Sequence, residues 1–529
     1  MRHALILIAL AACTPGPDDD ADTDLVDASA GGPGDPGPVL AINGTTIFAA
    51  VTDGPGWRGP GGPVVTFDEG DLFTPCASLP TLPSDLDHHN LVVPYRGHLV
   101  LPWSPEFGTG GITFYEVSDP CRPVKVGEGT SKQMRETHAM GFFTIPEGEA
   151  HAGEYAVVNG MAQPLAGASG MEIWDITDLE APVPVAFLPL EGSGYPDSYT
   201  IVTLSIFVQY PYVYAASANA GVAVADVTDP TTPEQIARFQ FPQGLRAGGV
   251  FALGTSLLVT PAEEEQAAML DVSDPYNPQL VPGSPFDVVD SLGEPRETYH
   301  GNRAGPYALF DRKEGGGGPL MFDVSDPAKP TYVGDLPLPG MNGGYVFYDE
   351  GFLFTGDSHA GHVIDARDPA NMTLVGLGVI SGDLDTNTPY GNVSILAVDD
   401  PGEGLGKGNA SQLMPWSTDP DVAPIEILGV DPAEGATGVA ITARIGVGFN
   451  EMVDPGSVFP GSIRLFDDAG RPVPGWTSAQ ENTGSFSPKI ALKAGTTYTV
   501  EVLAGGPEDV NGNALAATKT WTFTTAGTL

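Results

Sequence analysis

Basic residues and cysteines are scarce in this sequence. Lysine and arginine number 22 against 67 acidic residues, for a formal charge of -45 over 529 residues. A polyanion of this kind repels nucleic acid and anionic lipid surfaces, so no nucleic-acid partner is expected. Only three cysteines occur, Cys13, Cys76 and Cys121, and none sits in a redox pair. No segment offers a long helical period. The motifs H-E-x-x-H and G-x-S-x-G are absent. The glycine-rich stretch 402–408 lacks Walker spacing, with Lys407 followed by Gly408 rather than Ser or Thr. What the chain has in quantity is Gly, 69, and Pro, 51, which point to many turns, and 41% hydrophobic residues, enough for real cores. Its length allows more than one domain.

Arg2 and His3 precede an unbroken apolar run from Ala4 to Ala12. That run is far shorter than the roughly 20 residues a spanning helix needs, and it has the layout of a cleaved export signal. Leu10-Ala11-Ala12-Cys13 resembles the lipobox of bacterial lipoproteins. The resemblance implies that Cys13 becomes the new N-terminus and carries lipid; the alternative is an ordinary secretory signal with an incidental cysteine. Residues 14–38, with Asp18-Asp19-Asp20, Asp22, Asp24 and Asp27 among Gly and Pro, have too little apolar surface to repay their ordering entropy. They read as a disordered, charge-extended acidic tether. Thr14 rather than Asp after the cysteine resembles the Gram-negative pattern for outer-membrane delivery. The expectation is an extracytoplasmic protein whose first partner is the membrane, through its lipid.

One pattern recurs along the middle of the chain. It reads Gly111-Ile-Thr-Phe-Tyr-Glu-Val-Ser-Asp119-Pro120, Met171-Glu-Ile-Trp-Asp-Ile-Thr-Asp178, Val222-Ala-Val-Ala-Asp-Val-Thr-Asp229-Pro230 and Ala268-Met-Leu-Asp-Val-Ser-Asp274-Pro275. Leu320-Met-Phe-Asp-Val-Ser-Asp326-Pro327, Val363-Ile-Asp-Ala-Arg-Asp368-Pro369 and a weaker Leu413-Met-Pro-Trp-Ser-Thr-Asp419-Pro420 continue it, and a decayed copy stands at 64–68. Each unit divides into four short runs rich in β-branched and aromatic residues, separated by turn residues. In one unit these are 249–253, 256–260, 267–272 and 279–281. Four-stranded units repeated at this spacing predict an all-β propeller of seven or eight blades over 39–423. The motif D-V-S-D-P-x-x-P followed by V-G resembles the LVIVD-repeat family, which implies the propeller fold and an extracytoplasmic place but little chemistry. The Asp-Pro turn reads as structural, since Asp bonds turn backbone and Pro fixes φ. Cys76 and Cys121 hold similar places in neighbouring repeats. An oxidising envelope permits a disulfide, repeat spacing argues for distance, and the pairing stays open.

Residues 424–529 form a second all-β domain, with strand-like runs at 425–430, 443–449, 462–466, 497–502 and 520–524. Phe449-Asn-Glu-Met-Val-Asp454, Leu492-Lys-Ala-Gly-Thr-Thr-Tyr498, Asp509-Val-Asn-Gly-Asn513 and Trp521-Thr-Phe-Thr-Thr525 resemble bacterial Ig-like domains of surface proteins. Such domains space or present other modules.

Candidate site residues lie on the loops that enter the blades. His89, His138 and His300 precede or open predicted first strands, which line a propeller channel, and Arg135-Glu-Thr-His138 echoes Arg296-Glu-Thr-Tyr-His300. Their alternative role is satisfying local backbone. Asp383, Asp385 and Asn387 place side-chain oxygens alternately in a predicted loop, a pattern suited to Ca²⁺ or another divalent cation, or to an ordinary polar turn. Strand alternation puts the entering loops on the same face as the second-to-third-strand loops 159–170, 261–266, 311–318 and 357–361, which vary widely. The Asp-Pro turns lie opposite. Variable loops on a rigid scaffold are where binding sits. The functional expectation is a binding or display module for a protein or carbohydrate at the cell surface. The alternative is a channel-centred, metal-dependent hydrolase or lyase.

Overall fold

The computed structural model describes residues 40–42, 45–48, 65–80, 91–104, 109–134, 137–161, 169–194, 203–242, 245–313, 316–380, 384–398 and 411–527. Cys13, the tether, His89, Arg135 and Asp383 lie outside the described residues. The chain divides into two compact units, 1–52 and 53–529. In the first, Leu40–Ile42 pairs antiparallel with Thr45–Phe48. The second holds both the propeller and the C-terminal domain.

The described residues form seven blades, each an antiparallel four-stranded meander. Blade 1 runs Val93–Tyr95, His98–Trp103, Gly110–Glu116, Val124–Ser131, and blade 2 runs Met140–Ile145, Gly153–Met161, Ser169–Asp175, Val183–Pro189. Blades 3 to 6 begin with Ser205–Gln209, Ala247–Leu253, Thr298–Ala304 and Gly343–Asp349. Blade 7 begins with Leu384–Tyr390 and takes its fourth strand, Ala77–Leu79, from the other end of the propeller sequence, where it pairs with Ser411–Pro415. That pairing closes the ring, and it is where the decayed first copy of the repeat leads. Cys76 joins Cys121 in a disulfide with Cα atoms 5.1 Å apart, which resolves the open pairing and ties the closing strand to blade 1. Inner strands such as Val393–Val398 are buried throughout because neighbouring blades cover both faces, whereas the outermost strand Val183–Pro189 has no buried residue.

The repeat motif is explained by two local contacts. In blades 1 and 3 to 6 the Asp-Pro aspartate accepts a hydrogen bond from the amide two residues on, as Asp229 does from Thr231 at 2.9 Å and Asp326 from Ala328 at 3.1 Å. The glycine of the following V-G leaves room for the next blade's Asp-Pro turn. A Cβ at Gly127 would stand 2.1 Å from the carbonyl of Leu179, and one at Gly334 1.8 Å from that of Pro369.

The C-terminal domain has its own core, with Phe449, Tyr498, Val500, Trp521 and Phe523 buried in it. It is docked on the propeller and does not stand clear as a spacer. Its hairpin Gly475–Gln480/Thr483–Pro488 pairs with the first strand of blade 2, with Ser478 opposite Phe143. The Gln480 amide completes the free edge of blade 3, accepting from Val208 N–H at 2.8 Å and donating to Ile206 carbonyl at 3.1 Å. Arg444 enters the propeller and donates from Nε to Gln209 Oε1 at 2.6 Å and from Nη2 to the Tyr214 hydroxyl at 3.0 Å and the Val272 carbonyl. First-to-second-strand turns meet the same domain: Arg96 N–H reaches Asp454 at 3.2 Å, Thr255 N–H reaches Asp431 at 2.6 Å, and Glu350 N–H reaches the Asn450 carbonyl at 2.8 Å. The C-terminal domain therefore covers the face carrying these turns. Among the described residues no helix is long and apolar enough to cross a membrane.

Candidate functional site at the open face

The face left uncovered is the one that the entering loops reach. There the loop entering blade 2 and the first strands of blades 5 and 6 bring His138, Tyr299, His300 and Tyr345 together. The Tyr299 hydroxyl and His138 Nδ1 are 3.0 Å apart, and the Tyr345 hydroxyl donates to the His138 carbonyl at 3.1 Å. His300 stacks on Tyr345 with ring centroids 4.0 Å apart. The two histidines singled out from sequence within the described residues thus share one cluster. They are nearly buried, 1% and 3% exposed, rather than lining a wet channel wall.

His300 sits at φ +51 within a register shift between Tyr299 and Asn302. A β-strand residue held in the left-handed region is strained and needs surrounding contacts to keep it there. Its Nδ1 bonds the Gly301 carbonyl at 3.1 Å, and its buried Nε2 has no partner. Burial, with repulsion from His138, lowers its pKa to about 3, so the ring is neutral and Nδ1 is the donor. The Nε2 lone pair is left as an acceptor.

A second polar group lies beside it on blades 5 and 6. Asp357, at the end of Phe352–Asp357, bonds His362 Nδ1 at 3.0 Å and accepts from Gly318 N–H at 3.3 Å. Burial, reinforced by the charge of Asp357, holds the Asp311 carboxyl well above the ordinary carboxylate range. Sequence reasoning used Asp311 and Asp357 only as loop starts and passed over His362. The available signal was an aspartate closing an otherwise apolar second strand in successive blades.

Of the remaining sequence candidates within the described residues, Arg296, Asp385 and Asn387, none joins the histidine cluster. Arg296 lies on the entering loop of blade 5, but its guanidinium is held by Asp290, Nε to Oδ2 at 2.7 Å. Asp385 and Asn387 are on the first strand of blade 7, not on a loop, and are 8% and 0% exposed. Asn387 donates its side-chain amide to the His362 carbonyl at 2.9 Å. The alternation read as a cation loop is thus strand alternation that turns polar side chains toward blade 6. Among the described residues, the metal-ligating side chains that converge are Glu350, Asp421 and Glu451.

Family comparisons agree with this architecture. Residues 421–525 match the bacterial Ig-like domain, and residues 203–240, which contain blade 3, match the LVIVD repeat. The chain thus carries an LVIVD repeat within its β-propeller and a C-terminal bacterial Ig-like domain. Among curated proteins no sequence matches it. Solved structures that overlap it include a hypothetical selenium-binding protein from Sulfolobus tokodaii, at 10% identity and TM-score 0.43, covering 64% of this chain and 93% of that one. A protein from Lactobacillus plantarum overlaps at 12% identity and TM-score 0.43, over 58% of this chain and 98% of that one. The computationally designed Ika8 protein does so at 10% and 0.41, over 64% and 99%. Overlaps at these scores carry no functional argument.

Proposed function

We propose that this protein is a lipid-anchored envelope protein that binds a protein or carbohydrate partner through the open face of its propeller. The observation that carries the reading is the docked Ig-like domain. It occupies the face of the first-to-second-strand turns and leaves the entering loops and the His138–His300 cluster on the other. That face carries an exposed apolar side chain, Leu292, 79% exposed on the loop entering blade 5, while the His138–His300 cluster is buried and braces the first strands. Entering loops with an exposed apolar side chain on a rigid scaffold suit recognition of a partner surface. The anchoring half of the proposal rests on the Leu10-Ala11-Ala12-Cys13 resemblance. The hydrolase or lyase reading has Asp311, Asp357 and His362 in its favour. Both aspartates are 0% exposed, however, which keeps a substrate from reaching them.

A photo-crosslinking amino acid placed at Leu292 or at Tyr276 tests the face. Tyr276 follows an Asp-Pro turn on the covered side and is 60% exposed. In intact cells, discrete adducts are expected from position 292 and not from 276. Equal adducts from both, or adducts from 276 alone, would refute the assignment.

A further inference from the structure

Five carboxylates meet where blade 6 touches the Ig-like domain. Asp349 ends the strand Gly343–Asp349 and Glu350 follows in its turn. Asp421 lies between blade 7 and the Ig-like domain, Glu451 follows the Ig strand Ile445–Phe449, and Asp509 opens the 509–513 turn. Carboxylate oxygens of Glu350, Asp421 and Glu451 all lie within 4.8 Å of one another. Oxygens on opposite sides of one Ca²⁺ stand about 4.6–5.2 Å apart, since Ca–O bonds are about 2.3–2.6 Å. The span around Mg²⁺ is about 4.2 Å, with stricter octahedral demands.

A second observation separates this group from an ordinary acidic patch. Glu451 is 2% exposed, and its Oε1, sealed from solvent, has no hydrogen-bond partner. A buried ionised oxygen left unpaired is costly, and such groups are found paired or on metals. The charged groups that act most on Glu451 are Asp349, Asp509, Asp421 and Glu350, all of the same sign. Asp349, 8% exposed, faces the same carboxylates. The surrounding bonds orient the group without neutralising it. Asp509 accepts from the Asn511 amide at 2.7 Å and the Asn513 amide at 2.8 Å, and Asp421 accepts from Ala423 N–H at 2.9 Å and from Asn513 Nδ2 at 3.3 Å.

We propose that Glu350, Asp421 and Glu451, backed by Asp349 and Asp509, bind one calcium ion that pins the Ig-like domain to the propeller. Glu350 comes from the propeller and Glu451 from the Ig-like domain, so a single ion ties the two. Glu350 and Asp421 are partly exposed, which gives the ion a route from solvent and leaves positions for water. Calcium fits better than magnesium because the ligands are a carboxylate cluster on three separate segments, able to meet a larger ion with variable geometry.

The test uses the purified full-length chain stripped with EDTA, titrated calorimetrically with CaCl₂ and melted with and without it. Wild type is expected to bind one ion per chain. Its melting temperature should rise by roughly 3 °C at calcium a hundredfold above the dissociation constant. Glu451→Gln should bind calcium at least tenfold more weakly yet melt at or above wild type in EDTA, because one repelling charge is gone. A merely structural Glu451 would not give that opposed pair of changes. If Glu451→Gln fails to fold, the partly exposed Asp421→Asn carries the same two expectations. The proposal is overturned if wild type shows neither heat nor shift up to about 10 mM calcium, tenfold above the weakest extracellular sites. It is equally overturned if the variants keep the wild-type response. An equal shift from MgCl₂ at the same concentration would overturn the choice of calcium.

Discussion

Replacing Arg444 with Ala tests whether the Ig-like domain is built into the propeller. The guanidinium is 2% exposed and its bonds to Gln209, Tyr214 and the Val272 carbonyl all cross from one domain to the other. It also lies over the Tyr212 ring, 5.4 Å from the centroid. Hydrogen bonds to a charged group are each worth about 1.5–3 kcal/mol, and desolvating the guanidinium offsets part of their sum. Truncation takes a donor from three buried acceptors, of which Gln209 Oε1 keeps the Tyr214 hydroxyl at 3.2 Å. The expected loss is about 3–5 kcal/mol, since each buried acceptor left short of its donor costs about 1–3 kcal/mol. With a urea slope of about 4 kcal/mol per M for a unit this size, the denaturation midpoint should fall by about 1 M. Arg444→Lys keeps the charge but not the fork and should fall in between. Lys519→Ala, at a half-exposed ion pair with Glu434, is the control and should move the midpoint by less than about 0.25 M. If Arg444→Ala moved the midpoint no further than Lys519→Ala, the docking bonds would carry no stability and the reasoning would fail.

Four further outcomes are expected. Cys13→Ala should move the protein from the membrane to the soluble fraction; equal partitioning of both forms would end the lipid-anchor proposal. Asp326→Ala, which removes one exposed side-chain-to-amide bond, should cost about 1 kcal/mol or less by chemical denaturation, while Gly334→Ala, forced against the Pro369 carbonyl, should cost about 1–3 kcal/mol; the reverse order would contradict the packing account of the V-G motif. Burial raises the Glu172 carboxyl to about 7 despite bonds from Ser131 and Trp174, so the folded state holds its proton more tightly than the unfolded chain. Its contribution, about 3 kcal/mol at most, is present below about pH 4.5 and lost as pH rises through about 7; Glu172→Gln should flatten that part of the stability profile, and an unchanged profile would refute it. The segment 421–529 expressed alone should melt cooperatively on its own core, at a lower temperature than in the whole chain; a spectrum without β-structure would count against it.

The strands were legible where local chemistry fixes them. In the blade read at 249–253, 256–260, 267–272 and 279–281, the observed strands are Ala247–Leu253, Ser256–Glu264, Gln266–Asp271 and Gln279–Leu280. Alternation, turn residues and the Asp-Pro signal act over a few residues, and a sequence displays them directly. The Ig-like strand Thr497–Val502 appears at the expected bounds, whereas the hairpin Gly475–Gln480/Thr483–Pro488 was missed. Its Gly-, Ser- and Thr-rich composition reads as loop, because its strand character comes from pairing and from burial against blades 2 and 3. Of the site, the histidines could be named from their place before first strands. That His138 and His300 meet through Tyr299 and Tyr345 could not.

The sequence by itself determined the blade repeat, the turn that links third and fourth strands, the second domain and the face on which the entering loops lie, since all follow from short-range patterning. Only the tertiary structure decided the Ala77–Leu79 closure, the Cys76–Cys121 bond, the face that the Ig-like domain covers and the meeting of Glu350 with Glu451. Each of these joins residues from distant parts of the chain, and such pairings depend on how the ring closes and on which surfaces then match, a property of the assembled fold that no local window contains.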